Sequence, residues 1–293
     1  MENEIAAEVI RCPACGSATR PWIVSRGFPI LACGSCGLKF VYPQPVDTTG
    51  LYSADYFFGA QEGFGYVDYD ADKLAQEPVL RRYLGLIEKR FPSKGSLLDV
   101  GAATGVFVGL ARKRGWNAEG VEIAFAAVEA AQKKGLPVRQ GKLEAVEGEE
   151  RYDAISLLDV LEHLPDPSSA LVDAFRLLRP GGVLAVNLPD AGSFYARLMG
   201  GKWHAIVPPE HLWYFTRQAL ENMFAKAGFA RFSARTMNKS FSLPYILSTA
   251  GRWLGWLWLS RFAFKIERSF LGKLIIPLPL NDNLFVIASK PRP

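Results

Sequence analysis

Leu97-Leu98-Asp99-Val100-Gly101-Ala102-Ala103-Thr104-Gly105 is the stretch on which the fold turns. Four residues of an apolar strand with one acid run into small residues, and a helical pattern follows over 106–114. Small residues at a strand-to-helix turn let the backbone bend tightly and approach a ligand closely, with the helix N-terminus available to a polar group. A dinucleotide site would carry glycine at alternate positions and a third glycine in the helix, where this chain has Ala103 and Val106. Asp99 inside the turn would repel a pyrophosphate, whereas it suits a ligand with a cationic amino acid portion. Glu122, which closes the next strand and is followed by Ile123, offers a carboxylate to a pair of ribose hydroxyls.

Outward from this turn the pattern alternates. Strands are expected at 96–100, 117–122, 136–139, 152–158 and 183–188, with helices at 106–114, 124–134 and 168–178 between them. Strands separated by helices of about ten residues build a parallel sheet with right-handed crossovers. Thr216 is placed to cap a helix running to Gly228, and segments 229–236 and 283–289 are suited to an antiparallel edge. The expected fold is α/β: a Rossmann-like, doubly wound seven-stranded sheet with an antiparallel last strand, plus a small N-terminal zinc ribbon. The divisions expected are 1–45 for the ribbon, 46–94 for a lead-in aromatic flap and helix, and 95–293 for the main domain. An apolar helical insertion is expected at about 238–282.

Residues 96 to 190 resemble the core of class I S-adenosylmethionine-dependent methyltransferases. Asp99, Gly101, Ala102 and Gly105 match the first motif, Glu122 the ribose-binding acid, Tyr152-Asp153 through His163 the fourth-strand motif, and Arg179-Pro180-Gly181-Gly182 the turn after it. The resemblance implies S-adenosyl-L-methionine as cofactor, with Asp159 beside its methionine portion and Lys142 and Leu143 flanking the adenine. Many relatives carry an acidic or small polar residue where this chain has Lys142.

All four cysteines fall in two knuckles, Cys12-Pro13-Ala14-Cys15-Gly16 and Cys33-Gly34-Ser35-Cys36-Gly37. Each knuckle supplies two thiolates from one tight turn, and four soft ligands suit tetrahedral Zn²⁺. A site with four protein ligands has no open coordination position, so the zinc is expected to be structural.

Methyl transfer from a sulfonium is an in-line displacement, and a hydroxyl or carbon acceptor must also lose a proton. The chain has three histidines, His163, His204 and His211. His163 follows the fourth strand, where it serves either the reaction or a backbone contact. Glu210 and His211 lie among aromatic residues after the fifth strand and suit an acceptor pocket, with capping of the next helix or fixing of the loop as the plain alternative. The order of cysteine knuckles, a Tyr/Phe-rich segment, the methyltransferase core and Glu210-His211 with Tyr214-Phe215 looks like bacterial sugar methyltransferases. In the deoxysugar C-methyltransferases of that group, the matching histidine is the proposed base. This chain lacks their additional C-terminal domain, which favours O-methylation of a sugar or lipid-linked glycan. The core also resembles quinone-biosynthesis O-methyltransferases, which makes a quinone-type lipid precursor the alternative acceptor. A cofactor-binding module without activity is the non-enzymatic reading.

Composition bounds the partners. The chain of 293 residues is 49% hydrophobic and 22% charged, with a net charge of +5 and no low-complexity tract. Basic residues in the ribbon are scattered, which argues against RNA docking through it. Clustered cysteines and the lack of a basic-then-apolar start point to a reducing, cytoplasmic setting. In the segment 241–280, Trp253, Trp256 and Trp258 stand near Arg252, Arg261 and Lys265. That mixture suits peripheral contact with the inner face of a membrane, or equally a helical cap or a dimer surface. Tyr56, Tyr66 and Tyr69 could act as a lid or simply pack.

Overall fold

The computed structural model describes residues 10–45, 76–266 and 269–293. Tyr56, Tyr66 and Tyr69 lie outside the described residues. The chain begins with three antiparallel strands, β1 (Thr19–Ser25), β2 (Phe28–Cys33) and β3 (Lys39–Val41). A helix, α1 (Glu77–Glu88), then buries Leu80, Tyr83, Leu84 and Ile87, the apolar face that its 3–4 residue spacing lays out.

Alternation follows as the sequence predicts. β4 (Ser96–Val100), α2 (Val106–Lys113), β5 (Asn117–Glu122), α3 (Phe125–Lys133), β6 (Val138–Gln140), β7 (Tyr152–Leu158), α4 (Pro167–Leu177) and β8 (Leu178–Pro189) come in order. Helix α4 starts where Asp166 accepts hydrogen bonds from the N–H groups of Ser168 and Ser169 and proline occupies the first turn. After a short helix, α5 (Phe194–Met199), come β9 (Trp213–Tyr214), α6 (Arg217–Lys226), β10 (Ala230–Ser242), α7 (Leu243–Leu254), α8 (Leu257–Ile266) and β11 (Ile275–Ser289). Thr216 caps α6 by accepting from the Ala219 N–H at 3.1 Å.

The main sheet has seven strands in the order β10-β11-β8-β7-β4-β5-β6. β6, β5, β4, β7 and β8 are parallel, and β11 runs antiparallel to β8 and to β10. Both faces are covered, which is why the central strands are mostly apolar rather than alternating, with Asp99, Ser156 and Asn187 as buried exceptions. Helices α1 and α2 close one face with Trp116, Phe285 and Ile287. Helices α4 and α6 close the other, and that core runs on without a break into the cysteine module, taking in Cys12, Cys33, Cys36, Leu38 and Phe40.

Two features depart from the sequence reading. The N-terminal module does not stand apart: β9, which comes from the main domain, adds to its edge with Lys39 opposite Tyr214 and Phe40 opposite Trp213, making a four-stranded sheet. The insertion is also less helical than expected. β10 and β11 continue past the sheet as a two-stranded arm, from Lys239 opposite Leu278 to Ser242 opposite Ile275, and α7 and α8 form a hairpin at its end. Gly251 lets the two helices touch, since a Cβ there would lie 2.6 Å from Ser260 Oγ and 3.0 Å from its backbone nitrogen.

Candidate active site

The glycine turn sits at the carboxyl end of β4, where open α/β sheets bind ligands. Gly101 and Ala102 both donate their N–H to the Val121 carbonyl, at 2.9 and 3.1 Å, which clamps the turn to β5. Gly101 has φ +68°, and a Cβ there would come 2.5 Å from Val160, so only glycine lets this turn lie against the loop after β7. Gly105, with φ +80°, is hemmed in the same way by Leu136, Ala131 and Val138.

The two acids of the motif are buried. Asp99 Oδ1 accepts from Ser156 Oγ at 2.7 Å. Glu122 accepts from the backbone N–H of Ala103 at 2.9 Å and of Ala124 at 2.9 Å, so its carboxylate ties β5 to the glycine turn. Burial pushes Glu122 above the ordinary carboxylate range, and hydrogen bonds from the N–H groups of Ala124, Ala103 and Ile123 pull partly against it. A buried carboxylate held at a strand end fits a ligand that presents two hydroxyl donors. Ile123 is half-buried, and its carbonyl accepts from Gln140 Nε2 at 3.1 Å. Leu143 is buried on a single helical turn, while the Lys142 side chain is exposed and lies 3.8 Å from Glu144.

Asp159 takes the left-handed conformation, φ +57°, just past β7. Its N–H donates to the Asn187 carbonyl at 2.8 Å, and its Oδ1 accepts from Asn187 Nδ2 at 2.6 Å. Asn187 Oδ1 in turn accepts from Tyr83 OH at 2.7 Å, and the Tyr83 ring stacks on Phe285 at 4.4 Å. Tyr83, Asn187 and Ser156 thus hold the two aspartates. Sequence reading missed all three, because each acts across more than 25 residues, although Ser156 stands within the fourth-strand motif.

His163 and His211 meet edge to face, with ring centroids 4.7 Å apart. His163 Nδ1 lies 2.8 Å from the Glu210 carbonyl and His211 Nδ1 lies 2.8 Å from the Ala205 carbonyl. A carbonyl can only accept, so each ring carries a proton on Nδ1. Glu162, buried, brings Oε1 to 3.9 Å from His163 Nε2. Its place beside His163 in sequence was the one signal that could have singled it out. Glu210 shapes the site through its backbone, accepting from His163 and donating to Val207 at 3.0 Å. Thr216 rather than Glu210 or His211 caps α6, but both residues do fix the loop, His211 through the Ala205 carbonyl and Glu210 through its own carbonyl on His163. His204 lies 3.7 Å from Asp282, which also accepts from Trp203 Nε1 at 2.9 Å.

Around the cysteines, Sγ separations of 3.5 Å (Cys12 to Cys36) and 3.4 Å (Cys15 to Cys33) are far beyond a disulfide of about 2.05 Å. All four sulfurs lie within 4.8 Å of one another, and a zinc tetrahedron with bonds of about 2.3 Å needs edges of about 3.8 Å. Gly16 and Gly37 take φ +76° and +75° and donate back to Cys12 and Cys33, closing each knuckle. Burial pushes the Cys12 and Cys36 thiols up; at Cys15 burial is outweighed by hydrogen bonds from Ser17, which bring it down to about 6. The cluster is consistent with a structural zinc held by Cys12, Cys15, Cys33 and Cys36. The module grips the His211 loop directly: Val41 N–H donates to the Leu212 carbonyl at 2.9 Å, Thr216 Oγ1 to the Cys36 carbonyl at 2.5 Å, and Phe40 stacks on Trp213 at 5.3 Å. Between the module and α5 with the residues after it lies a cavity of about 230 Å³ lined by Trp22, Lys39, Arg197 and Trp203 among others.

Comparison with known proteins agrees with this geometry. The family model described as a methyltransferase domain matches residues 70–233, more than half of the chain. Curated relatives include ubiquinone biosynthesis O-methyltransferases of Alkalilimnicola ehrlichii, 36% identical over 94 residues, covering 29% of this chain and 38% of the relative. Another is that of Paracidovorax citrulli, 30% identical over 132 residues, 41% of this chain and 56% of the relative. The chain therefore spans about half, or less, of the length of these curated relatives. Among solved structures, phosphoethanolamine N-methyltransferase 2 of Haemonchus contortus, in complex with S-adenosyl-L-methionine, superposes with a TM-score of 0.52 at 16% identity, over 87% of this chain and 62% of that one. A SAM-dependent methyltransferase from Archaeoglobus fulgidus gives 0.51 at 18% identity, over 74% and 94%. At such identities these likenesses speak to the fold alone, which is that of class I S-adenosylmethionine-dependent methyltransferases, but the family model carries the assignment: the chain belongs to the methyltransferase-domain family.

Proposed function

We propose that this enzyme O-methylates a hydroxyl on a small-molecule acceptor of the phenolic, quinone-precursor type, with His211 as general base. The observation that carries the proposal is the cluster of Glu162, His163 and His211: a carboxylate oxygen and one nitrogen of each ring lie within 4.8 Å of one another, and the His211 ring is held by its Nδ1–H on the Ala205 carbonyl. When bound, S-adenosylmethionine supplies the electrophilic methyl group. Asp99 and Glu122 would hold its amino acid and ribose portions, Asp159 would face the methionine side, and Gly101, Ala102 and Gly105 would admit it closely. Ile123, Lys142 and Leu143 would border the adenine. His163 and Glu162 orient His211 and stabilise the charge it takes up.

Proton affinity favours a phenol. A phenolic hydroxyl titrates near ~10 and an imidazole near ~6.5, whereas an alkyl hydroxyl resembles water and is a far weaker acid than either. An imidazole base therefore faces a far smaller mismatch with a phenol than with a sugar hydroxyl. The names of the curated relatives point the same way. A hydrophobic acceptor of this kind resides in lipid, which fits peripheral membrane contact through the 241–280 segment. The glycan reading is favoured by one observation, the cavity with Trp22 and Trp203 for stacking on a sugar and Lys39 and Arg197 for an attached anion.

Assays with a catechol-type acceptor and with nucleotide sugars separate the two readings. His211→Ala should lower kcat by about 10²- to 10⁴-fold on the accepted substrate while leaving cofactor affinity unchanged. Unaltered turnover would remove His211 from the reaction, and transfer to nucleotide sugars alone would replace the phenol by the glycan.

A further inference from the structure

We propose that the arm and its helical hairpin are a docking surface for an anionic lipid bilayer, and that the chain meets the membrane with the same rim that carries the active site. This rests on the functional reading only in giving the docking a purpose.

The first observation is charge. Between residues 239 and 281 the sequence holds Lys239, Arg252, Arg261, Lys265, Arg268 and Lys273 against the single acid Glu267, a surplus of five. The whole chain has a net charge of +5, so everything outside this segment balances to zero. The second observation is exposure. The hairpin tip turns at Gly255, φ +72°, and leaves Leu257 71%, Trp258 62% and Phe264 69% exposed, with Phe270 beyond it at 86%. Trp256 and Trp258 stack on each other at 6.1 Å rather than on the core. Arg261 and Lys265 of α8 are exposed among them. Tryptophan and phenylalanine beside lysine and arginine, on a helix too short to span, is the composition of an interfacial anchor. Among the described residues, no helix is long and apolar enough to cross a membrane.

The third observation is placement. β11 enters the sheet with Asn283 opposite Pro189, the carboxyl end of β8, so the arm projects from the edge of the sheet that carries the glycine turn, Asp159 and the His163 loop. Helix α5, which follows β8 on that rim and packs against β11, adds exposed Phe194 and Leu198. A second copy of the chain is the poorer occupant, because pairing two such arms would bring two surpluses of five positive charges together.

Flotation of the zinc-loaded full chain with phosphatidylcholine vesicles, with and without phosphatidylglycerol, tests the proposal. Binding should be at least roughly tenfold tighter with phosphatidylglycerol and should weaken as salt rises. Arg261→Glu with Lys265→Glu should cost on the order of a hundredfold, and Trp256→Ser with Trp258→Ser roughly tenfold. All these side chains are exposed, and retained S-adenosylhomocysteine binding by calorimetry shows that the variants are folded. Equal binding to both vesicles, no binding, or indifference to both pairs of substitutions overturns the proposal. So does a concentration-dependent dimer that the tryptophan substitutions dissolve. Absent S-adenosylhomocysteine binding in the unaltered chain would sink the functional reading and leave the vesicle result standing.

Discussion

The chain carries two additions to its central sheet, the cysteine module before it and the arm near its end, and they are built on opposite principles. The module is sewn in. Its sulfurs and Leu38 share one core with α4 and α6, its edge strand takes β9 as a partner, and its backbone accepts from Thr216. The arm is cast off: among the described residues its outer ladder pairs only with itself, and Trp256, Trp258, Phe264 and Phe270 face solvent. Burial of that kind ties the module to the geometry of the His211 loop, whereas an apolar surface left open belongs to a contact outside the chain.

That contrast breaks if removing the metal proves harmless. Chelation should lower the unfolding temperature by roughly 10 °C or more, since structural zinc contributes folding free energy directly and ~1 kcal/mol corresponds to about 2–4 °C at this size. Turnover should be lost along with the His211 loop. A chain that kept both its Tm and its rate without zinc would make the module a bystander. Phe40→Ala sharpens the same point without touching a ligand. Phe40 is buried and stacked on Trp213, so its loss should cost about 3–5 kcal/mol. The folded fraction should then show a kcat defect with cofactor affinity intact. The smallest effect belongs to the arm: Trp256→Ser with Trp258→Ser should change stability by no more than about 0.5 kcal/mol in denaturant titration, as exposed positions do. A large loss there would mean the hairpin packs on the domain after all.

Much of the fold could be read from the sequence, because the signals were local. The bounds of β4 and β7 follow from short, mostly apolar runs, β5 from its place between two helical patterns, and Asp99, Gly101, Gly105 and Glu122 stand at or just past the strand ends. What escaped was long-range. β9 is two residues long and is a strand only because β3, some 170 residues earlier, offers it an edge. Asn187 and Tyr83 read as an ordinary strand and helix residue, and their meeting with Asp159 depends on α1 packing across the sheet. The expected helical insertion failed in part for a similar reason. The segments 239–242 and 275–278 have no alternating pattern facing a core, so nothing in either announces that each will pair with the other.

The central claim is that a sulfonium nucleoside binds at the carboxyl ends of β4 and β5, held by Asp99 and Glu122. Calorimetric titration of the zinc-loaded chain with S-adenosylhomocysteine tests it most directly. One site per chain should be seen, weakened by roughly thirtyfold or more in Asp99→Ala, the loss of one charge-assisted hydrogen bond. No heat in the unaltered protein, or the same affinity in Asp99→Ala, would contradict it.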